Sequence, residues 1–391
     1  MASHDRHPSP TVRALGWTSF LTDLSSEAIY PLLPGFVKSL GGSNLDIGLI
    51  DGVANAVAAV VRLPSGAVSD RVGRRWLVLF GYGFSAVVRP LMGLIASPPQ
   101  AILIRAADRF GKGIRTAPRD ALVTDCVDPT ERGRAFGHIR SLDHLGAALG
   151  PLVAMLFLLA FPGGERTLFL LSIIPGLATL LVIGRFVHDA PRASTAPRPL
   201  TSRLTRPQGW LLACVAIFSL GAASEQFLLL RAAELGTPAA LVPLVWFGIC
   251  LAKSVAAGRA GPLADTVAPR MVLTAGWLIF AAASGLLALA TNLATMIPLV
   301  LVVGVAQGIA EPAERKLVAA LSPDGRQGGS FGWYALVQGI MSLPAGMIAG
   351  TLWDRGPGGP AIAFLTTAVL AMIACGLVVA VGRPTAEPAQ R

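Results

Sequence analysis

Two acidic residues stand four positions apart in the first apolar stretch of the sequence, Asp23 and Glu27. Residues at this spacing lie on one face of a helix, so the two carboxylates lie close together. A buried carboxylate beside a basic partner that can move away can change charge within the working pH range. We therefore predict that Asp23 and Glu27 bind and release protons, with Glu225 and Glu311 as reserve candidates.

The fourth apolar stretch carries a second set of charges, and most of them are basic. At about 100° per residue they fall within an arc of roughly 140° on one helix face. The set comprises Arg105, Asp108, Arg109, Lys112, Arg115, Arg119 and Asp120. A face with this many charges cannot contact lipid. Two interpretations stay open: an ion-pair network that only holds helices together, and a network that opens to an aqueous cavity where the cations contact substrate.

The second interpretation predicts a substrate cavity with contributions from neighbouring helices. Its predicted lining is Arg89, Asp108, Arg109, Lys112, Arg115 and Asp143. Guanidinium groups match carboxylate and phosphate oxygens through paired hydrogen bonds. The arginines Arg89, Arg109 and Arg115 could therefore bind an anionic group.

The composition indicates which elements must position these side chains. Of the 391 residues, 53% are hydrophobic and 14% are charged, whereas about a quarter of the residues in soluble domains are charged. A soluble globular protein is excluded, and spans of about 20 residues would allow roughly ten to fourteen transmembrane helices. The apolar runs predict twelve, near 13–38, 45–68, 76–96, 100–124, 135–160, 167–187, 209–232, 239–260, 271–291, 295–319, 328–352 and 361–382.

The net charge of +10 could indicate a nucleic-acid partner in a soluble protein. In membrane proteins, however, basic residues collect in cytoplasmic loops, and no basic stretch here alternates with aromatic residues as a single-strand binding groove requires. No nucleic-acid partner is predicted. The arginine-rich loops place both termini and the polar segment 188–208 in the cytoplasm, so we predict a multi-pass plasma (inner) membrane protein.

Motifs of several other functional classes are missing from the sequence. The four cysteines form no CxxC pair and lie far from any histidine cluster, so no metal site is predicted. HExxH is absent, and Gly113 follows Lys112 where an ATP-binding loop needs Ser or Thr. We expect a monomeric non-enzyme without a cofactor, whose partners are the lipid bilayer, a small-molecule substrate and protons supplied by a gradient.

The sequence repeats with a shift of 195 residues. Gly66 and Asp70 recur as Gly261 and Asp265, and the pairs at 113–114 and 136–137 recur at 308–309 and 331–332. One shift that holds at three separate places indicates a duplicated six-helix unit, with a substrate site between the halves. We predict an all-α membrane protein of two pseudo-symmetric six-helix bundles, residues 1–187 and 209–391, joined by the linker 188–208.

The segment after the second predicted helix reads GAVSDRVGRR, residues 66–75. It resembles the signature G-x-x-x-D-R-x-G-R-R/K of the major facilitator superfamily. A small residue such as Gly66 allows close helix approach, Asp70 can accept hydrogen bonds from the amides at the start of a partner helix, and Gly73 permits a tight turn. The resemblance implies a role in conformational gating for Gly66, Asp70, Arg71, Gly73, Arg74, Arg75 and Asp265.

The fifth predicted helix contains Gly146, Gly150 and Pro151, which match the beginning of the GxxxGPxxGG pattern of proton-coupled exporters in this family. The resemblance implies close helix packing at these three positions. Together with the acidic pair it favours proton-coupled export, by antiport and alternating access, of a small organic solute. The alternative that stays open is transport of an organic anion or phosphate ester bound by membrane-embedded arginines.

Overall fold

Twelve helical passes follow one another in the computed structural model, which describes residues 10–127, 132–189, 204–222, 225–322 and 327–380. The first six are α1 (Pro10–Ile29, continued by Tyr30–Leu32 and Leu33–Ser39), α2 (Asn44–Val72), α3 (Arg74–Val88, continued by Arg89–Leu94), α4 (Pro98–Asp125), α5 (Arg132–Ala160) and α6 (Glu165–Leu171 and Ile173–Phe186). The next six are α7 (Arg206–Gly221 and Gln226–Glu234), α8 (Ala239–Leu241 and Val242–Thr266), α9 (Pro269–Leu287), α10 (Leu293–Ala320), α11 (Gln327–Trp353) and α12 (Gly359–Ala380).

Local sequence explains several of the helix ends. Ser43 begins α2 with a capping box, in which its hydroxyl accepts from the Asp46 amide and the Asp46 carboxylate accepts from the Ser43 amide. Thr205 and Gln208 form the same arrangement at the start of α7. In α1 the helix tightens to a 3-10 turn at Tyr30–Leu32, where Pro31 removes a backbone donor.

Ten of the helices are long and apolar enough to cross a membrane. The two that do not reach this hydropathy are α1, which carries the acidic pair, and α4, which carries the basic stripe. Their polar faces must therefore be covered by other helices or by water, since lipid cannot solvate them.

The 195-residue shift also relates the helix ends. Helix α4 spans 98–125, and α10 spans 293–320. Helices α3 and α9 begin at 74 and 269, and helices α5 and α11 begin at 132 and 327. The prediction of an all-α membrane protein with two pseudo-symmetric six-helix halves is confirmed. Residues 190–203, most of the predicted linker, lie outside the described residues, and the domain limits stay a prediction.

Buried apolar side chains divide the molecule into a joined end and a split end. One cluster contains residues of both halves, among them Leu33, Phe36, Phe227 and Trp246. Two others each belong to a single half, one around Leu15 and one around Trp277. The split end is the face at which α1 begins and α12 ends, which we name the terminal face; the joined end is the far face.

Helices α2 and α11 form the main contact between the halves, and they meet most closely near the far face. Gly48 and Gly346 lie backbone to backbone, so that a Cβ on either glycine would overlap the other's carbonyl group. Beyond them, the side-chain amide of Asn44 donates to Asp354 at 2.7 Å. Backbone contact this close requires residues without side chains. The two glycines therefore allow α2 and α11 to close the far face.

Candidate functional site

A cavity of about 470 Å³ lies between the halves, on the terminal-face side of their contact. Its wall comes from α1, α2, α3, α4 and α5 on one side and from α10 and α11 on the other. Two carboxylates line it, those of Asp23 and Asp143, and seven basic side chains do so: Arg62, Arg109, Lys112, Arg115, Arg119, Arg140 and Arg315. The cavity is therefore strongly cationic.

Helix α4 supplies four of these seven cations, because Arg109, Lys112, Arg115 and Arg119 recur at three- and four-residue intervals along one face. That face lines the cavity, and α4 also packs on α2 and α3. The predicted substrate-cavity residues Arg109, Lys112, Arg115 and Asp143 all line the space.

Deeper along the same helix, the charges form an ion-pair network. Asp108 accepts from Arg89 at 3.0 Å and lies 3.9 Å from Arg105, which in turn lies 3.7 Å from Asp51. Arg89 also donates to the carbonyl of Thr22 at 3.1 Å. All four charged side chains are buried, and burial at this depth requires pairing. The structure thus places Arg89 and Asp108 in the network and outside the lining of the cavity.

Four of the cavity cations have partners within the protein. Arg115 donates to the Ser85 hydroxyl at 2.8 Å and lies over the Tyr82 ring. The other three face a carboxylate in the ion pairs Arg119–Asp120, Arg140–Asp143 and Arg315–Glu311.

The side chains of the remaining three cations, Arg62, Arg109 and Lys112, make no hydrogen bond or ion pair with any residue that the structure describes. In Arg109 the Nε atom is buried as well as unpartnered. A desolvated donor without an acceptor is unfavourable, and the Arg62 and Lys112 side chains are exposed. All three are therefore available for an anion that enters the cavity.

The four predicted proton-binding carboxylates occupy different environments. Asp23 lines the cavity. Glu27 lies beyond it and accepts a hydrogen bond at 2.9 Å from Trp246 of α8, across the contact between the halves. Glu225 pairs with Lys253 at 3.7 Å and Glu311 pairs with Arg315 at 2.8 Å. Of the four, only Asp23 shares the cavity with the unpaired cations.

A fifth carboxylate, Glu314 of α10, is more deeply buried than the reserve candidates and was not among the residues predicted to bind protons. It accepts from Trp277 Nε1 at 3.0 Å, from the Tyr334 hydroxyl at 2.6 Å and from Gln338 Nε2 at 3.4 Å. The sequence signal is only that an acidic residue stands within an apolar helix, since its partners come from α9 and α11.

The loop with the family signature joins helices within the first half. Gly73 ends α2 and precedes α3 with a φ of 111°, a left-handed conformation that favours glycine. Arg74 donates to the Ala121 carbonyl at 2.7 Å and pairs with Asp125, while Arg75 donates to the Gly184 carbonyl at 2.9 Å. The side chains of the other predicted gating residues lie outside the described residues; these are Gly66, Asp70, Arg71 and Asp265.

The predicted packing residues of α5 lie against α1. A Cβ on Gly146 would meet the Phe20 backbone, and one on Gly150 would meet the Leu24 carbonyl. Pro151 lies inside α5 immediately after Gly150. This close contact holds α1 so that Asp23 lines the same cavity as Asp143 of α5. Among the described residues, no group of three or more His, Cys, Asp or Glu side chains could hold a metal ion.

Comparison with known proteins adds three findings. The family model described as Major Facilitator Superfamily matches residues 15–257 and 209–391. An uncharacterised MFS-type transporter of Methanocaldococcus jannaschii is 32% identical over 95% of this chain and 94% of its own length. The multidrug resistance protein MdtH of Cronobacter sakazakii is 26% identical over 82% of this chain and 81% of its own length. A bacterial homologue of the human lysosomal transporter Spinster, solved inward-facing and unoccupied, superposes with a TM-score of 0.78 at 17% identity, covering 94% of this chain and 95% of that one.

Proposed function

The chain belongs to the Major Facilitator Superfamily of transporters, and on that premise we propose that it carries a small organic anion. The observation that carries this proposal is the cavity lining, in which seven basic side chains face two carboxylates and three of the seven have no partner among the described residues. Of the two substrate classes that the sequence leaves open, this lining favours the anionic one. A cationic drug would be repelled by the same wall.

The anion would enter from the terminal face, where the apolar clusters of the two halves are separate. Arg109 and Lys112 of α4 and Arg62 of α2 would contact its charged group, because all three line the cavity without an internal partner. Alternating access would follow from rocking of the halves, which closes the terminal face around Arg315 and parts the α2–α11 contact at the far face.

Proton coupling and export complete the proposal. Asp23 lines the same cavity as Lys112, and its change of charge on protonation would couple transport to the proton gradient. Likeness to a protein named for multidrug resistance supports outward transport. With the terminal face in the cytoplasm, as the arginine-rich loops predict for a plasma-membrane protein, the open cavity would receive its anion from inside the cell.

Uptake into proteoliposomes tests the substrate class. Radiolabelled dicarboxylates and sugar phosphates are compared with quaternary ammonium compounds of similar size, in the presence of an imposed proton gradient. We expect flux of at least one anion, its collapse with a protonophore, and no flux of the cations. Flux restricted to the cations would overturn the proposal.

Charge-removing variants test the binding residues. Arg109→Gln should lower the affinity for the transported anion about tenfold, as expected for the loss of about 1.4 kcal/mol. Lys38→Gln removes the same charge from an exposed position near the far face and should leave affinity unchanged. Equal losses in both variants would indicate a general charge effect and not a contact in the cavity.

A further inference from the structure

We propose that Glu314 is a proton-binding site of the second half, connected to the cavity through Gln338. It would take up a proton at a place separate from Asp23 and from the cations that hold the anion. The assignment deepens the proposed function, and any role of this proton in transport rests on that function. The chemistry of the site itself can be tested without any transported substrate.

The first argument is the chemical character of the partners. Glu314 is 5% exposed, and its three donors, the Trp277 indole, the Tyr334 hydroxyl and the Gln338 amide, are all neutral. It forms no ion pair among the described residues. Asp108, Glu225 and Glu311 instead lie beside a basic side chain, and Asp23 and Asp143 line the cavity. Glu27, like Glu314, accepts from a neutral donor, the Trp246 indole.

The second argument is the balance of energies. A buried carboxylate without a cation is destabilised by lost hydration, and donated hydrogen bonds offset part of that loss. The charged neighbours on α10, Glu311 and Arg315, pair with each other at 2.8 Å. The group that α11 places against Glu314 is the titratable Tyr334 hydroxyl. The group that α9 places there is the Trp277 indole, which does not titrate. With no dedicated cation to hold the charged form, proton uptake becomes the alternative way to stabilise this side chain.

The third argument is access. Gln338 lines the cavity, and its Nε2 lies 2.8 Å from the Tyr334 hydroxyl and 3.4 Å from a Glu314 oxygen. One side chain therefore separates the carboxylate from cavity water. Rotation of the Gln338 amide would open that path, and the proton would add to the oxygen that now accepts from Tyr334.

Infrared difference spectroscopy on the full chain in lipid nanodiscs tests the assignment directly. Spectra recorded between about pH 5 and about pH 9, the range in which buried carboxyl groups titrate, should show the carbonyl stretch of a protonated carboxylic acid. We expect Glu314→Gln to leave any component of this band that belongs to Asp23 and to remove the component that belongs to Glu314. Glu311→Gln, which changes an ion-paired carboxylate on the same helix, should retain it.

Tyr334→Phe is the second variant, and it keeps the carboxylate while removing one donor. It should shift the frequency of the same band, which provides a readout if Glu314→Gln does not fold. A band unchanged in both variants, or no pH-dependent band in the wild type, would overturn the proposal. Because no substrate is present, failure here is distinct from a failure to find anion transport.

Discussion

Helices α4 and α10 occupy equivalent places in the two halves, yet they carry opposite kinds of side chain. Along α4 the buried positions 105 and 108 are Arg and Asp, whereas the corresponding positions of α10, 300 and 303, are valines. Lys112 corresponds to Gln307, and Arg119 corresponds to Glu314. The same backbone frame therefore supports a charged helix and an apolar one.

The difference teaches where the charges of α4 are compensated. Asp51 of α2 and Arg89 of α3 pair with α4 charges, so the network depends on two neighbouring helices as well as on α4. Helix α10 needs no such partners, because its buried valines pack by dispersion and apolar burial alone. Under the proposed function the first half holds the anion, and the second half keeps one buried carboxylate whose donors are neutral.

The largest expected effect comes from giving α4 a residue of α10. Asp108→Val leaves Arg89 and Arg105 buried without this carboxylate, which should lower the free energy of unfolding by about 3–5 kcal/mol. Denaturant titration in detergent measures the loss. Adding Arg89→Leu should recover part of it, because an apolar pair replaces the ion pair. Wild-type stability in Asp108→Val would show that the network contributes nothing.

An intermediate effect is expected at the cavity surface. Lys112→Gln gives α4 the residue that α10 has at the equivalent position. We expect about tenfold weaker anion binding, from the loss of a charged hydrogen-bond donor. The thermal midpoint should stay unchanged, since Lys112 is exposed and has no partner among the described residues. Lost stability with retained binding would assign Lys112 to packing.

The smallest effect belongs to the ion pair of α10 at the cavity wall. The side chains of Glu311 and Arg315 are 43% and 51% exposed, and exposed pairs contribute about 0–1 kcal/mol. Glu311→Gln should therefore change the free energy of unfolding by less than about 1 kcal/mol in the same denaturant assay. A loss as large as that of Asp108→Val would mean that the two helices do not differ in the way described here.

Much of the fold could be predicted from sequence, because helix length, apolar runs and the 195-residue shift are properties of the chain itself. The fourth helix could be identified as the charged one, because its basic stripe is also visible in the sequence. What the sequence could not separate was the inner part of its stripe, around Asp108, from the part that faces the cavity, around Lys112. That division depends on which side chains of other helices approach each position.

The contacts at the far face and around Glu314 show the same limit more strongly. Asn44 and Asp354 are separated by 310 positions in the chain, and neither stands in a motif. In the sequence, Trp277 and Tyr334 are ordinary aromatic residues of apolar helices. Only the packing of the helices brings both to one carboxylate. Pairings of this kind arise only from the tertiary arrangement.

The low hydropathy of α4 also has a consequence for biosynthesis. Each charge at the centre of a helix adds about 2.5–3.5 kcal/mol to the cost of its insertion from the translocon, so α4 is a poor candidate for independent insertion. Its partners Asp51 and Arg89 precede it in the chain, as does Thr22, whose carbonyl accepts from Arg89. They are synthesised before α4 emerges from the ribosome. The order of the helices thus lets earlier segments receive α4 as it enters the bilayer.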